Sequence, residues 1–225
     1  MPRVSHQPAV TEKSAFGQMR RNWASRLRAA RHDRINLKNY GPQAPLFAER
    51  LWIPLDQVEH ALKKWNSKES ARVVAEWPDE RVRKVRDLPS IKACLQHWRE
   101  GMSWEETGVI DQMVERIRKN GKVDRLRNRA DVERRYAQLD ELYLQVRQAG
   151  RLSPRSELVP GNFREEGGIL FHIGPGGEPY FGGKGHHRLA IALALGQAAL
   201  PAQIGAVHSD ALSALLSLRT NPPET

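Results

Sequence analysis

Hydrophobic positions follow two patterns along the chain. Up to about residue 150, apolar side chains recur mainly at helical spacing; beyond it they gather in short unbroken runs between glycines and prolines. Val58, Ala61, Leu62 and Trp65 follow Pro54-Leu55-Asp56 at helical spacing and predict a packed amphipathic helix. Val73-Val74-Ala75 reads as a short strand, and Pro89 precedes a helix from about Ser90 to Glu100 that Gly101 ends. Ser103-Trp104-Glu105-Glu106 has the capping-box pattern and starts a helix carrying Val109, Ile110, Met113 and Ile117, which Asn120-Gly121 stops. From Ala130 to Ala149, Tyr136, Leu139, Tyr143 and Val146 form one stripe, with Gly150 as the stop. These stripes read as core rather than ligand boxes, and Trp104 as a packing residue at a helix start.

Ile169 to Ile173 predicts a strand, Gly174-Pro175-Gly176-Gly177 a hairpin turn, and Pro179 to Gly182 the returning strand. A glycine-rich segment then leads into the apolar helix Leu189 to Leu195, closed by Gly196. Leu200 to Val207 is a further strand, and a short helix near Asp210 to Leu218 ends the pattern.

The chain divides into three parts: a basic, flexible arm over 1–40 that is partly helical, a mainly helical region over 41–150, and a core over 151–225 packed with the preceding region as one unit. At 225 residues it is long enough to bury a sizeable core, and its 40% apolar and 28% charged composition is that of a globular protein. The charge adds a direction, since 36 Lys and Arg against 26 Asp and Glu leave a formal +10 that attracts polyanions. In the arm, Arg20, Arg21, Arg26, Arg28, Arg31, Arg34 and Lys38 face only Glu12 and Asp33, with few large apolar residues apart from Phe16, Trp23 and Leu27. The arm reads either as a solvated tail or as an electrostatic contact for nucleic acid. Cys94 is the single cysteine, which excludes an intramolecular disulfide framework and multi-thiolate zinc sites. The N-terminus lacks an apolar stretch, and the run Leu189–Leu195 is too short to cross a bilayer, so a cytoplasmic protein without membrane association is expected.

The candidate chemistry lies in Gly182-Gly183-Lys184-Gly185-His186-His187-Arg188. A strand that delivers glycines to the start of a helix exposes N–H groups at the positive end of the helix dipole, which suits an anion. Arg188 adds a charge with bidentate donors, and His186 and His187 can donate hydrogen bonds or titrate near neutrality. Gly183, Lys184, Gly185, His186, His187 and Arg188 are therefore the candidate phosphate-binding residues. The spacing is neither a P-loop nor a dinucleotide fingerprint. A competing reading is that the glycines only turn the chain and that Arg188 pairs with Glu165 or Glu166. A third takes His172, His186, His187 and His208 as ligands of a metal-dependent nuclease, a reading no supporting Asp or Cys pattern accompanies.

The stretch from Tyr180 through Gly185-His186-His187-Arg188 and Leu195-Gly196 to Leu200-Pro201-Ala202-Gln203-Ile204 resembles the core motif of the ParB and sulfiredoxin superfamily. In that superfamily a strand leads into Gly-x-x-Arg, an Ala-rich helix, a Gly, and a strand beginning near a Pro. Ser103-Trp104-Glu105-Glu106-Thr107 and Leu139-Asp140-Glu141-Leu142-Tyr143 are similar to a subgroup with a helical region before the ParB-like turn. The resemblance implies an α+β fold with a small mixed sheet, preceded by the helical region, and a nucleotide (CTP, ATP or ADP) at the turn. It allows NTP hydrolysis or phosphotransfer; such catalysis needs a carboxylate and Mg²⁺, and Glu165 and Glu166, just before the strand, are the candidate catalytic residues. His186 stands where sulfiredoxin has its catalytic cysteine, so sulfinic-acid reduction is not expected. Lys184 stands where many members carry an acidic residue, and no long helix-turn-helix or dimerisation region of a partition protein is evident. The alternative is a non-enzymatic nucleic-acid-binding protein that uses Arg20, Arg21, Arg26, Arg28, Arg31 and Arg34 together with the Arg188 turn.

Overall fold

The computed structural model describes residues 15–220. The fold is α+β: helices gather around a mixed seven-stranded sheet. Helix α1 (Ala15–Tyr40) is followed by four short strands, β1 (Arg50–Pro54), β2 (His60–Leu62), β3 (Val73–Val74) and β4 (Val82–Lys84). Three helices come next, α2 (Pro89–Glu100), α3 (Val109–Asn120) and α4 (Arg129–Ala149). A single turn, α5 (Arg155–Leu158), leads to β5 (Ile169–Ile173), β6 (Pro179–Phe181), α6 (His186–Leu195), β7 (Ala199–His208) and α7 (Leu215–Arg219).

The sheet order is β1-β7-β5-β6-β2-β4, with β3 beside the end of β7 on the edge that β1 also occupies. β5 and β6 form the expected antiparallel hairpin, while β5 and β7 run parallel, joined across α6. β5 is buried throughout and β7 from Leu200 onward, which explains why they read as unbroken apolar runs rather than as an alternation. α6 is apolar around most of its circumference because the sheet lies on one side and α2 and α4 on the other. Ile169, Phe171 and Ile173 point into this main core with Leu189, Ile191 and Ile91. A smaller core on the opposite face holds Leu62, Trp65, Tyr180 and Ala206 against Val74, Trp77 and Val82.

The helix expected from Pro54 is absent. A 3-10 turn over Leu55–Gln57 leads into β2, where Ala61 enters the main core and Leu62 the smaller one. Adjacent residues buried on opposite faces are the two-residue period of a strand, which the i, i+3, i+4, i+7 spacing conceals. Within 41–150 the long helices therefore span Pro89–Ala149, while 50–84 supplies four strands to the same sheet as 151–208.

Over its described part the arm is helical, in line with the partly helical reading, and it is held against the body rather than solvated on all sides. Residues 15–40 are one helix, tied down by Asp33, which accepts from the Phe47 amide at 2.7 Å and pairs with Arg164 at 2.9 Å. Asn36 donates to the carbonyls of Pro45 and Ala71, each at 2.8 Å. Glu12 and the side chains of Phe16 and Arg21 lie outside the described residues.

The helical region closes around one carboxylate. Asp140 on α4 accepts from the indole N–H groups of Trp98 and Trp104, both at 2.9 Å, and faces His97 Nε2 at 3.0 Å. Trp104 is buried here, stacked on His97 at 3.9 Å, as a packing residue. The capping-box bonds between Ser103 and Glu106 form, but they hold a turn, and α3 begins only at Val109.

Candidate functional site

β6 ends at Phe181, and the turn 182–185 is bonded to β5 on both sides: the Gly182 amide donates to the Leu170 carbonyl and the Leu170 amide to the Lys184 carbonyl. Gly185 then caps α6 with φ +93°, and a Cβ there would lie 3.0 Å from Ile169 Cγ1. Positive φ and close approach together require glycine. Among the described residues no side chain caps α6, and the amides of His186, His187 and Arg188 have no acceptors within the helix, so its start carries the full positive end of the dipole.

Two lysines border this start. Lys184 Nζ donates to Ser67 Oγ at 3.1 Å, and the Lys63 stem lies against Gly183, where a Cβ would come within 3.3 Å of its Cγ. Burial lowers the pKa of His186, and the Lys63 charge lowers it further. A hydrogen-bond chain runs outward from Ser67: its carbonyl accepts from Gln203 Nε2 at 3.2 Å, and Gln203 Oε1 accepts from the Gly167 amide at 3.0 Å. The segment between β2 and β3, the turn before α6 and the loop before β5 thus meet beside Gln203 of β7.

The side chains of the next two residues go elsewhere, because successive positions on a helix point roughly 100° apart. His187 meets the edge of Tyr136 at 6.1 Å, and burial, with Arg135 adding to it, pushes its pKa down to about 4. It packs α6 against α4 as a neutral imidazole. Arg188 donates to the Ser153 carbonyl at 2.7 Å, while its Nε is enclosed without a partner. Burial pulls its pKa down to about 10 against the attraction of Glu165.

Glu165 is fully buried and accepts from the Arg155 amide at 2.7 Å, while its second oxygen has no partner. Burial raises its pKa although Arg188, Arg50 and Arg155 all draw it down. Glu166 is half-buried; its amide donates to the Phe163 carbonyl and its own carbonyl accepts from Asn162 Nδ2. Glu165 is thus a buried anchor of the 153–168 loop with Arg188 nearby, whereas Gly183, Lys184, Gly185 and His186 surround the helix start.

Two other histidines are structural. The parallel pairing of β5 with β7 shifts register between Phe171 and Ile173, and His172 Nδ1 accepts there from the Ala206 amide at 2.9 Å. The ring sits over Gly205, where a Cβ would lie 2.1 Å from Nδ1, and burial pushes its pKa down to about 4. His208 Nε2 faces the Ala75 carbonyl at 2.9 Å. The four histidines do not converge, and among the described residues no group of three or more His, Cys, Asp or Glu is placed to hold a metal ion.

On α1, Arg20, Arg26, Arg31 and Arg34 are exposed and Arg28 is half-buried; the Arg21 side chain lies outside the described residues. Lys63, Ser67 and Gln203 are the site residues that the sequence reading missed. Lys63 sat inside the supposed helix, and only the pairing of β2 with β6, His60 opposite Tyr180, carries it to the turn.

Comparison with protein-family models, curated proteins and solved structures yields no match. Among the described residues, no helix is long and apolar enough to cross a membrane.

Proposed function

We propose that the chain binds a phosphate-bearing ligand at the start of α6, and that the ligand is a nucleotide (CTP, ATP or ADP) held as in the ParB and sulfiredoxin superfamily. One observation carries the reading: the helix start is uncapped, is presented by Gly185, and lies between Lys184 and Lys63. Amide donors and flexible cations suit phosphate oxygens. Backbone N–H groups of residues 186–188 contact the phosphate, Lys184 and Lys63 neutralise it, and His186 donates to it. Arg188 and Glu165 fix the neighbouring loop.

Any Mg²⁺ would arrive on the ligand's phosphates and keep most of its waters, since among the described residues no group of three or more His, Cys, Asp or Glu is placed to hold a metal ion. Hydrolysis or phosphotransfer would need a carboxylate; of the two candidates, Glu165 is buried as an anchor of the 153–168 loop, which leaves the half-buried Glu166.

Calorimetric titration of the full chain with CTP, ATP, ADP and tripolyphosphate, with and without Mg²⁺, tests the reading. At least one nucleotide binds, and Lys184→Ala and Lys63→Ala each weaken it about tenfold, equivalent to about 1.4 kcal/mol. Arg188→Ala weakens binding together with thermal stability. No binding, or binding indifferent to both lysine changes, sinks the proposal.

A further inference from the structure

α1 is amphipathic in the inverse sense to a docked helix. Its face toward the body carries Ser25, Ala29 and Asn36, which are 1%, 4% and 7% exposed. At about 100° per residue, Met19, Trp23 and Leu27 project from the opposite side. They are 58%, 66% and 58% exposed. Ala30, Arg34 and Leu37 continue the same line, so the positions step by four, four, three, four and three residues, the spacing of a helix–helix seam. An exposed apolar stripe of this kind marks an interaction surface.

Charge identifies what covers it. Arg20, Arg31 and Lys38 flank the seam on one side, Arg26 flanks it on the other beside Phe163, and Arg34 interrupts it. Asp33, the one acidic residue of α1, is committed to Arg164 and the Phe47 amide. A second copy of this helix would set cation against cation. A bilayer would have to accommodate Arg34 within the apolar line, and nucleic acid would meet Trp23 and Leu27 where a backbone-binding surface needs cations.

We infer that α1 is a docking surface for an acidic amphipathic helix of a partner protein, one that lays an apolar stripe over Met19, Trp23 and Leu27 and sets Glu or Asp against Arg20, Arg31, Arg34 and Lys38. The surface is distinct from the start of α6.

The test uses the full chain and a synthetic helical peptide with a leucine seam and glutamate flanks, followed by fluorescence anisotropy. Controls are the same peptide with lysine flanks, vesicles of phosphatidylserine and phosphatidylcholine, and a DNA duplex. The acidic peptide binds saturably, and Leu27→Glu and Arg31→Glu each weaken it about tenfold or more. Leu216→Glu, an equally conservative change at an exposed site on α7, leaves binding intact. Absence of saturable binding, equal binding of the lysine-flanked peptide, or preference for the vesicles or the duplex overturns the inference.

Discussion

His172 shows how one side chain can be built into a fold at the expense of its own titration. Its Nδ1 satisfies the Ala206 amide at the register shift, which needs a neutral imidazole, and burial holds the pKa at about 4. An unfolded histidine titrates near 6.5. The unfolded chain therefore takes up a proton first as the pH falls. The stability this residue contributes is complete above about 6.5 and is lost progressively down to about 4, with a full swing on the order of 3 kcal/mol. His187, held at about 4 by burial, acts in the same direction. Glu165 acts oppositely, since its raised pKa means that protonation relieves the cost of its burial as the pH falls. Denaturant unfolding between pH 7 and 4 should show stability falling, with a shallower slope in His172→Gln. An unchanged slope would show that the ring titrates freely in the folded state.

At the level of elements, what local chemistry specifies was legible and what distant pairing specifies was not. Gly174-Pro175-Gly176-Gly177 turns the chain between β5 and β6, and Gly101, Gly150 and Gly196 end α2, α4 and α6 in left-handed conformations. Each of these follows from a few neighbouring residues. β2 is three residues long and exists because β6 and β4 lie on either side of it, so its own spacing misleads. The site divides in the same way. The glycine turn could be read directly, whereas the divergence of His187 and Arg188 from His186 depends on what packs around α6, and Lys63 depends on strand register. Asp140 is another residue whose weight appears only in three dimensions. Two indoles donate to it, and His97 faces it. Hydrogen bonds to a charged group are worth about 1.5–3 kcal/mol each, and unpaired buried donors cost a similar amount. Asp140→Ala should therefore lower unfolding stability by about 2–4 kcal/mol, with Asp140→Asn costing less; chemical denaturation checks both, and a loss below about 0.5 kcal/mol would remove Asp140 as the organiser of α2 and α4.

Over the whole molecule, two groups of cations that contribute to the formal +10 have different neighbours. On α1 the cations border an exposed apolar line; at the end of the sheet, Lys63 and Lys184 border amide groups that lack helical acceptors. The first arrangement suits an acidic helix and the second a compact polyanion, so the two sites should respond to different ligands. Both weaken with salt, but only the second has its donors fixed by the backbone. The most direct test of the central claim is therefore to follow the backbone amide resonances of the full chain while adding CTP, ATP or tripolyphosphate. The account predicts saturating shifts that are largest for Gly185, His186, His187 and Arg188 and that need about tenfold more ligand in Lys184→Ala. Shifts confined to α1, or none at the start of α6, would contradict it.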